Sequence, residues 1–423
     1  MPYAITIAYL VVIFGTINII RMALLMVGSD IYALKYAARK KKEDKMFQFP
    51  PFTIVIPAHN EEHTIVRSVE SVYQSRYPKE KLHIVVVDDG STDTTVRKIQ
   101  HYRDTHRLSN LHIVSQKRAG KACALNNGIM NHAACELVMC LDADSYLASD
   151  ALMNAARYFC DPRVVALSSN VKIRHTGKLL NLIQTFEYLV CYRMKRALTV
   201  FNMEYIIGGV GSTFRRSALQ RVGYYDTDTV TEDIDLTMKL LRLGNKEHRV
   251  MYGSDVITYT ESVLSIQGLM RQRFRWKYGR CQTFLKNIDI FFSRDSKYSK
   301  MLAWVYLPFT FFTDIAFFLE PLLVSYIAFV IVWYQDWVTF LSAFSVVAIY
   351  ITLNLLAEDT LRWKEKIKLI VLAPSMFFFF YVLSFVEYVA LIKSYLHVQR
   401  MYTEIGTYVR GWEHVLRNAI DKA

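Results

Sequence analysis

Apolar residues crowd the two ends of this chain. Residues 3–27 carry a single charge, Arg21, and three further apolar tracts lie beyond Met301. A helix needs about 20 consecutive apolar residues to cross the hydrocarbon core of a bilayer, so tracts of this kind read as membrane spans. The stretch between them has the mixed composition of a water-facing domain. With 52% hydrophobic residues in 423, the chain holds enough apolar surface for a soluble core and for spans besides.

The formal net charge of +13 fits a nucleic acid, an anionic membrane face or an anionic substrate, and the apolar tracts favour the last two. No nucleic-acid partner is expected. Lys35, Arg39, Lys40, Lys41, Lys42 and Lys45 follow the first tract, whereas no Lys or Arg precedes it. The positive-inside rule then sets the N-terminus outside and residues from Met46 onward in the cytoplasm, giving a multi-pass protein of the cell membrane with a cytoplasmic central domain. A cleaved signal peptide would have a shorter apolar stretch behind a basic n-region. Beyond the domain, spans are expected near residues 309–333, 337–356 and 369–392. The loop with Arg362, Lys364, Lys366 and Lys368 reads as cytoplasmic, which by parity leaves the residues after Lys393 outside. That tail is itself basic, so parity and charge disagree. The six cysteines match no zinc spacing and are expected as reduced, buried thiols.

From Phe52 the pattern changes to short β-branched runs: FTIVIPA, LHIVVVDD, LHIV, ELVMCLDAD and VVALSSN. Amphipathic stretches of helical length separate most of them. Strand-helix alternation predicts an α/β domain with a mostly parallel sheet covered on both faces. The expected division is an N-terminal transmembrane helix (1–28), a basic juxtamembrane linker (29–50), the α/β domain (51–264), an amphipathic interfacial segment with QRFRW (265–300), C-terminal transmembrane helices (301–393) and a tail (394–423).

In such sheets ligands bind beyond the carboxyl ends of the strands, and here two of those ends are acidic. Asp88 and Asp89 close the second strand in VVVDDGSTD, with Gly90 for the turn and Ser91 or Asp93 to cap the next helix. Asp142 and Asp144 close the fourth in CLDADS. Side chains two apart on an extended strand point the same way, so this pair can meet one ligand. Oxygen donors without His or Cys suit Mg²⁺ or Mn²⁺, and an ion with so few protein ligands completes its shell with substrate phosphates. That leads to a nucleotide diphosphate. Lys121, in RAGKACALN, opens a helix where a cation would join in. In TEDIDLTMKLLRLG, Thr231 is placed to cap a helix whose first turn holds Glu232 and Asp233; acids there also favour the helix macrodipole whatever their function. Gln272, Arg275 and Trp276 of QRFRW supply an amide, a cation and an indole suited to a pyrophosphate and a sugar face.

Taken in order, PAHNEE, VDDGSTD, GKACALN, LDADS, GSTFRRSAL, TED and QRFRW resemble the family 2 processive glycosyltransferases, the group of cellulose, chitin, hyaluronan and bacterial poly-N-acetylglucosamine synthases. The resemblance covers residues 51–279. It implies a GT-A nucleotide-sugar transferase fold and an inverting displacement that gives a β-linkage. It also implies that Asp88 and Asp89 hold the uridine, Asp142 and Asp144 meet the ribose and metal-bound diphosphate, and Asp233 is the general base. Glu232, Gln272, Arg275 and Trp276 would bind the diphosphate and the acceptor. The partners implied are a UDP-sugar donor, a polysaccharide or lipid-linked acceptor, membrane lipids, and accessory membrane or export subunits. Val210 stands in IGGVGSTFRR where cellulose and chitin synthases carry a cysteine; this, with Lys277, Tyr278 and Gly279 after QRFRW, makes the chain resemble the poly-N-acetylglucosamine type. Two other readings are a non-processive transferase acting on a membrane lipid and an inactive membrane scaffold.

Overall fold

The computed structural model describes residues 2–43 and 47–404. Lys45 of the basic cluster and the tail beyond Glu404 lie outside the described residues.

Eight strands form one sheet: β1 (Phe52–Ala58), β2 (Leu82–Asp88), β3 (Leu111–Ser115), β4 (Leu137–Cys140), β5 (Tyr146–Leu147), β6 (Val164–Ile173), β7 (Ser212–Arg215) and β8 (Arg249–Thr260). Their order is β3-β2-β1-β4-β7-β6-β8-β5. β1 pairs in parallel with β2 and β4, β2 with β3, and β6 with β8. β7 runs antiparallel between β4 and β6, and β5 antiparallel to β8. The five runs read from the sequence are all strands. β5, β7 and β8 were not expected: the first two are very short, and β8 carries Gly253 where its pairing with β6 shifts register.

The strands are apolar at consecutive positions because both faces are covered. Ile54, Ile56, Ile84 and Val86 enter one buried cluster, while Val55, Val85 and Val87 enter another on the opposite face. Helices α2 (Ile65–Tyr73), α3 (Thr95–Thr105), α4 (Lys121–Asn127), α5 (Ala151–Tyr158), α6 (Leu179–Val200), α7 (Arg216–Arg221), α8 (Glu232–Leu241) and α9 (Ile266–Lys286) complete the domain.

Ahead of these, α1 (Pro2–Glu43) runs without a break through residues 29–43. Its later turns dock on the domain: Tyr32 Oη is 2.7 Å from Tyr158 Oη, Tyr36 Oη donates to Asp255 Oδ2 at 2.5 Å, and Arg193 Nη2 meets Asp30 Oδ1 at 2.5 Å. Beyond the domain lie α10 (Leu307–Phe317), α11 (Glu320–Tyr334), α12 (Trp337–Leu356), α13 (Trp363–Leu372), α14 (Met376–Leu396) and α15 (Val398–Glu404). Among the described residues, three helical runs are long and apolar enough to cross a membrane, Gly15–Ala38, Trp337–Leu356 and Trp363–Leu396. The tract at 309–333 is not one straight helix: Met301–Phe317 and Glu320–Tyr334 meet at 57°. Pro321 sits at the break, in the first turn of the second helix, where its missing N–H leaves the preceding helix without a bond to continue.

Candidate active site

β1, β2 and β4 run parallel, so their carboxyl ends open on one edge of the sheet. Asp88 is the last residue of β2, paired with Ala58 of β1 and Ser115 of β3. Its Oδ1 accepts from the Ser91 amide at 3.1 Å. Gly90 turns the chain at φ +73°, and a Cβ there would stand 2.9 Å from the Arg118 nitrogen. Asp93 accepts from the Thr95 amide at 2.9 Å where α3 begins.

The carboxylate of Asp89 is buried and committed to a loop. Its Oδ1 accepts from Gln116 Nε2 and the Ala119 amide, each at 2.8 Å, and its Oδ2 from the Gly120 amide at 2.8 Å. Gly120 precedes α4, so Asp89 sets the point from which Lys121 projects.

Lys121 Nζ lies 2.6 Å from Asp142 Oδ1 and 3.6 Å from Glu232 Oε1. Burial works against its charge, but the Asp142 and Glu232 carboxylates outweigh it and raise the ammonium above its usual range. Asp142 follows β4 by two residues. Asp144, also buried, accepts from Ser145 Oγ at 2.9 Å, and its backbone carbonyl accepts from Arg67 at 3.3 Å.

Asp233, in the first turn of α8, accepts at Oδ2 from the Gly209 amide at 3.0 Å and at Oδ1 from the Ile234 amide at 2.9 Å. Burial, followed by the like charge of Glu232, pushes its carboxyl up to about 6; Lys121, the Ile234 amide and Arg275 pull the other way. A carboxylate poised there is ionised at neutral pH yet still basic enough to take a proton. Thr231 does stand at the N-cap of α8, but its side chain makes no capping bond. It packs instead on Gly279 of α9, where a Cβ would come within 2.4 Å of Thr231 Oγ1.

That contact orients α9. Gln272, Arg275, Trp276 and Gly279 follow helical spacing and share the face turned to α8. Arg273, Lys277 and Arg280 form an adjacent stripe, each paired with carboxylates of other helices. Arg273 lies 2.6 Å from Glu187 and 3.5 Å from Glu387; Lys277 lies 3.0 Å from Glu387 and 3.3 Å from Asp314; Arg280 also pairs with Asp314. The Arg273 guanidinium sits over the Trp276 ring at 4.3 Å.

The arrangement thus gathers a cation, a base of raised pKa and acidic strand ends along one edge of the sheet. Residues 53–223 match the family model described as glycosyl transferase family 2. The chain carries a family 2 glycosyltransferase domain. Over 258 residues it is 33% identical to the poly-beta-1,6-N-acetyl-D-glucosamine synthase of Staphylococcus aureus (strain COL), a match covering 60% of each chain. Over 242 residues it is 32% identical to the protein of that name from Staphylococcus epidermidis, covering 57% of each. The chain therefore aligns with about three-fifths of the length of these curated relatives. The solved mannosyltransferase PcManGT from Pyrobaculum calidifontis, in complex with GDP-Man and Mn²⁺, superposes with a TM-score of 0.53 at 22% identity over 89% of this chain and 98% of that one. The fold is that of GT-A glycosyltransferases.

Within this arrangement the residues expected from the sequence divide into two groups. Lys121, Asp142, Glu232 and Asp233 meet directly or through Gly209, and Arg275 is near enough to act on the charge of Asp233. Asp88 and Asp89 stand at the β2 end and hold loops. Sequence reasoning missed Gly209, whose amide fixes Asp233 and whose missing side chain leaves room beside Lys121 Nζ and Asp142 Oδ1, 2.9 and 3.8 Å from where a Cβ would stand. The Gly208-Gly209 doublet was the available signal. It also missed Glu187, Asp314 and Glu387, which lie on distant helices.

Asp142 and Asp144 offer carboxylate oxygens two residues apart past the end of β4, the donor type that Mg²⁺ or Mn²⁺ takes, with Asp142 also engaged by Lys121 at 2.6 Å. A tighter acidic group, Asp226, Asp228 and Asp235, lies apart from Lys121 and Asp233 and surrounds a lysine of its own. Lys286 Nζ sits among these three at 2.6, 2.8 and 2.9 Å, so an ammonium already balances their charge.

Proposed function

We propose that this glycosyltransferase extends a β-linked polysaccharide of N-acetylglucosamine from a UDP-sugar donor, with its catalytic domain on the cytoplasmic face of the cell membrane. The observation that carries this reading is Asp233, a carboxyl pushed up to about 6 by burial and by Glu232 and held by the Gly209 amide at 3.0 Å, in one cleft with Lys121 and the β4 carboxylates. Asp233 takes the proton of the acceptor hydroxyl as that oxygen bonds to the anomeric carbon. The bond from that carbon to the diphosphate breaks, UDP leaves, and the anomeric configuration inverts. No enzyme nucleophile is needed. Asp88, together with the loop that Asp89 holds, borders the uridine. Lys121 offers its charge to the diphosphate, joined from α9 by Gln272 and Arg275. The Trp276 ring faces the acceptor sugar. A bound Mg²⁺ or Mn²⁺ on Asp142 and Asp144 would neutralise charge on the leaving diphosphate.

The polymer and the sugar are supported by the staphylococcal relatives, named as poly-beta-1,6-N-acetyl-D-glucosamine synthases. A nucleotide-sugar donor and a divalent ion are in keeping with the mannosyltransferase of the same fold, solved with GDP-Man and Mn²⁺. Membrane attachment is supported by the long apolar helices on both sides of the domain. The test is turnover of the purified full chain with a panel of UDP-sugars. UDP release fastest with UDP-N-acetylglucosamine, and a ladder of products by mass spectrometry, is expected. A single sugar on a lipid, or no UDP released from any donor, would overturn it.

A further inference from the structure

Apolar length alone makes Trp363–Leu396 a span, yet both of its flanks touch the catalytic domain. On the upstream side, Lys172 of β6 pairs with Glu358 at 3.6 Å and Arg196 of α6 with Asp359 at 3.3 Å. On the downstream side, Tyr278 Oη and Gln282 Nε2 of α9 donate to Glu404 Oε2 at 2.6 and 3.0 Å. Met401 is buried there with Val230 and Tyr278. A single helical run that crossed the bilayer would end on the side opposite its start.

Between these flanks α14 runs beside α9. Leu383 and Val386 pack on Leu269, and Glu387, near the middle of the helix, takes Arg273 and Lys277. If α14 crossed, it would carry Arg273 and Lys277 of α9 with it toward the bilayer centre, where charged side chains are strongly disfavoured. The other side of the run is apolar and exposed: Ile367, Val371, Phe378, Tyr381, Phe385 and Leu396. The run therefore meets lipid only on its outer side, while its inner side is packed along α9 and tied to it through Glu387.

We infer that Trp363–Leu396 lies along the bilayer surface on the catalytic-domain side, its apolar face among lipid acyl chains, and does not cross. The inference rests on the membrane reading given above. It ends the conflict between parity and charge: α12 returns the chain to the domain's side, and residues 398–404 stay there, as the positive-inside rule asks of a tail bearing Arg400, Arg410, Arg417 and Lys422.

The test uses the full chain in membrane vesicles, with the exposed Cys160 and Cys191 replaced by serine. Gln399→Cys and, in the catalytic domain, Gln100→Cys are each reacted with a membrane-impermeant maleimide in right-side-out and inverted vesicles. Labelling of both from the same face is expected. Labelling of Gln399→Cys from the opposite face overturns the inference and leaves the proposed function standing. A second measurement places nitroxides at Phe378→Cys and Phe385→Cys. An in-plane helix holds them at similar depth, whereas a crossing helix separates them by about 10 Å at 1.5 Å per residue. Similar shallow depths support the inference; a separation near 10 Å overturns it. A chain stripped from vesicles by alkaline carbonate would overturn the membrane reading itself.

Discussion

The backbone amide of Gly209 donates to Oδ2 of Asp233 at 3.0 Å, tying the loop before β7 to the first turn of α8. The same glycine leaves room for Lys121 beside Asp142. Four segments distant in sequence therefore share one charge cluster, and the predictions below follow from it.

Asp233→Asn keeps the size of the side chain but cannot accept a proton. Turnover is expected to fall by about 10² or more, the usual contribution of a positioned base, with UDP affinity nearly unchanged. In the parent enzyme the rate should rise with pH through about 6 as Asp233 ionises. Lys121 lowers this pKa and Glu232 raises it, so Lys121→Met should move the limb to higher pH and Glu232→Gln to lower pH. The folded state holds this proton between the ordinary value of 3.8 and about 6, so the contribution of Asp233 to stability falls as pH rises across that window. Initial rates from pH 5 to 9 decide it, and a limb that stays in place in both variants would count against the base assignment.

Gly209→Ala introduces a Cβ 2.9 Å from Lys121 Nζ, whereas a Cβ on Gly208 meets nothing within 4 Å. Gly209→Ala should lower turnover several-fold and shift the acid limb upward, because Lys121 is pushed from Asp233. Gly208→Ala should leave both unchanged. Equal behaviour of the two variants in steady-state kinetics would remove Gly209 from the site.

Metal dependence should map to Asp142 and Asp144. Chelation is expected to abolish transfer, Mg²⁺ or Mn²⁺ to restore it, and Asp144→Asn to raise the metal concentration needed for half-activation. Lys286→Met should leave that concentration alone but lower thermal stability, by about 3 kcal/mol, because it strands the buried Asp235 beside Asp226 and Asp228. Full activity after exhaustive chelation would end the ion's proposed role.

Trp276 is held under Arg273 at 4.3 Å. Trp276→Ala should shorten the product more than it weakens donor binding, and Arg273→Gln should do the same to a smaller degree, with Arg273→Lys restoring part of the length. Product length and UDP affinity measured on one preparation separate this from misfolding. A fall in UDP affinity that matches the fall in length would mean α9 had merely lost its packing.

What the sequence determined by itself is local. Runs such as FTIVIPA announce strands buried on both faces, and an acid that ends such a run stands at the sheet's carboxyl edge because the strand carries it there. Asp88, Asp89, Asp142 and Asp144 were legible for that reason, and Asp233 through the order of the motifs around it. What tertiary structure decided is every relation between distant segments. β7 enters antiparallel between β4 and β6, a pairing that no short pattern encodes. Arg273 and Arg275 stand two apart in one motif, yet Glu187 and Glu387 turn the first into a packed cation while the second lies near enough to Asp233 to act on its charge. The membrane helices divide in the same way. Hydropathy records what a helix can tolerate around it, but whether α14 crosses or lies flat depends on α9 packed along it, and only the folded chain brings those two helices together.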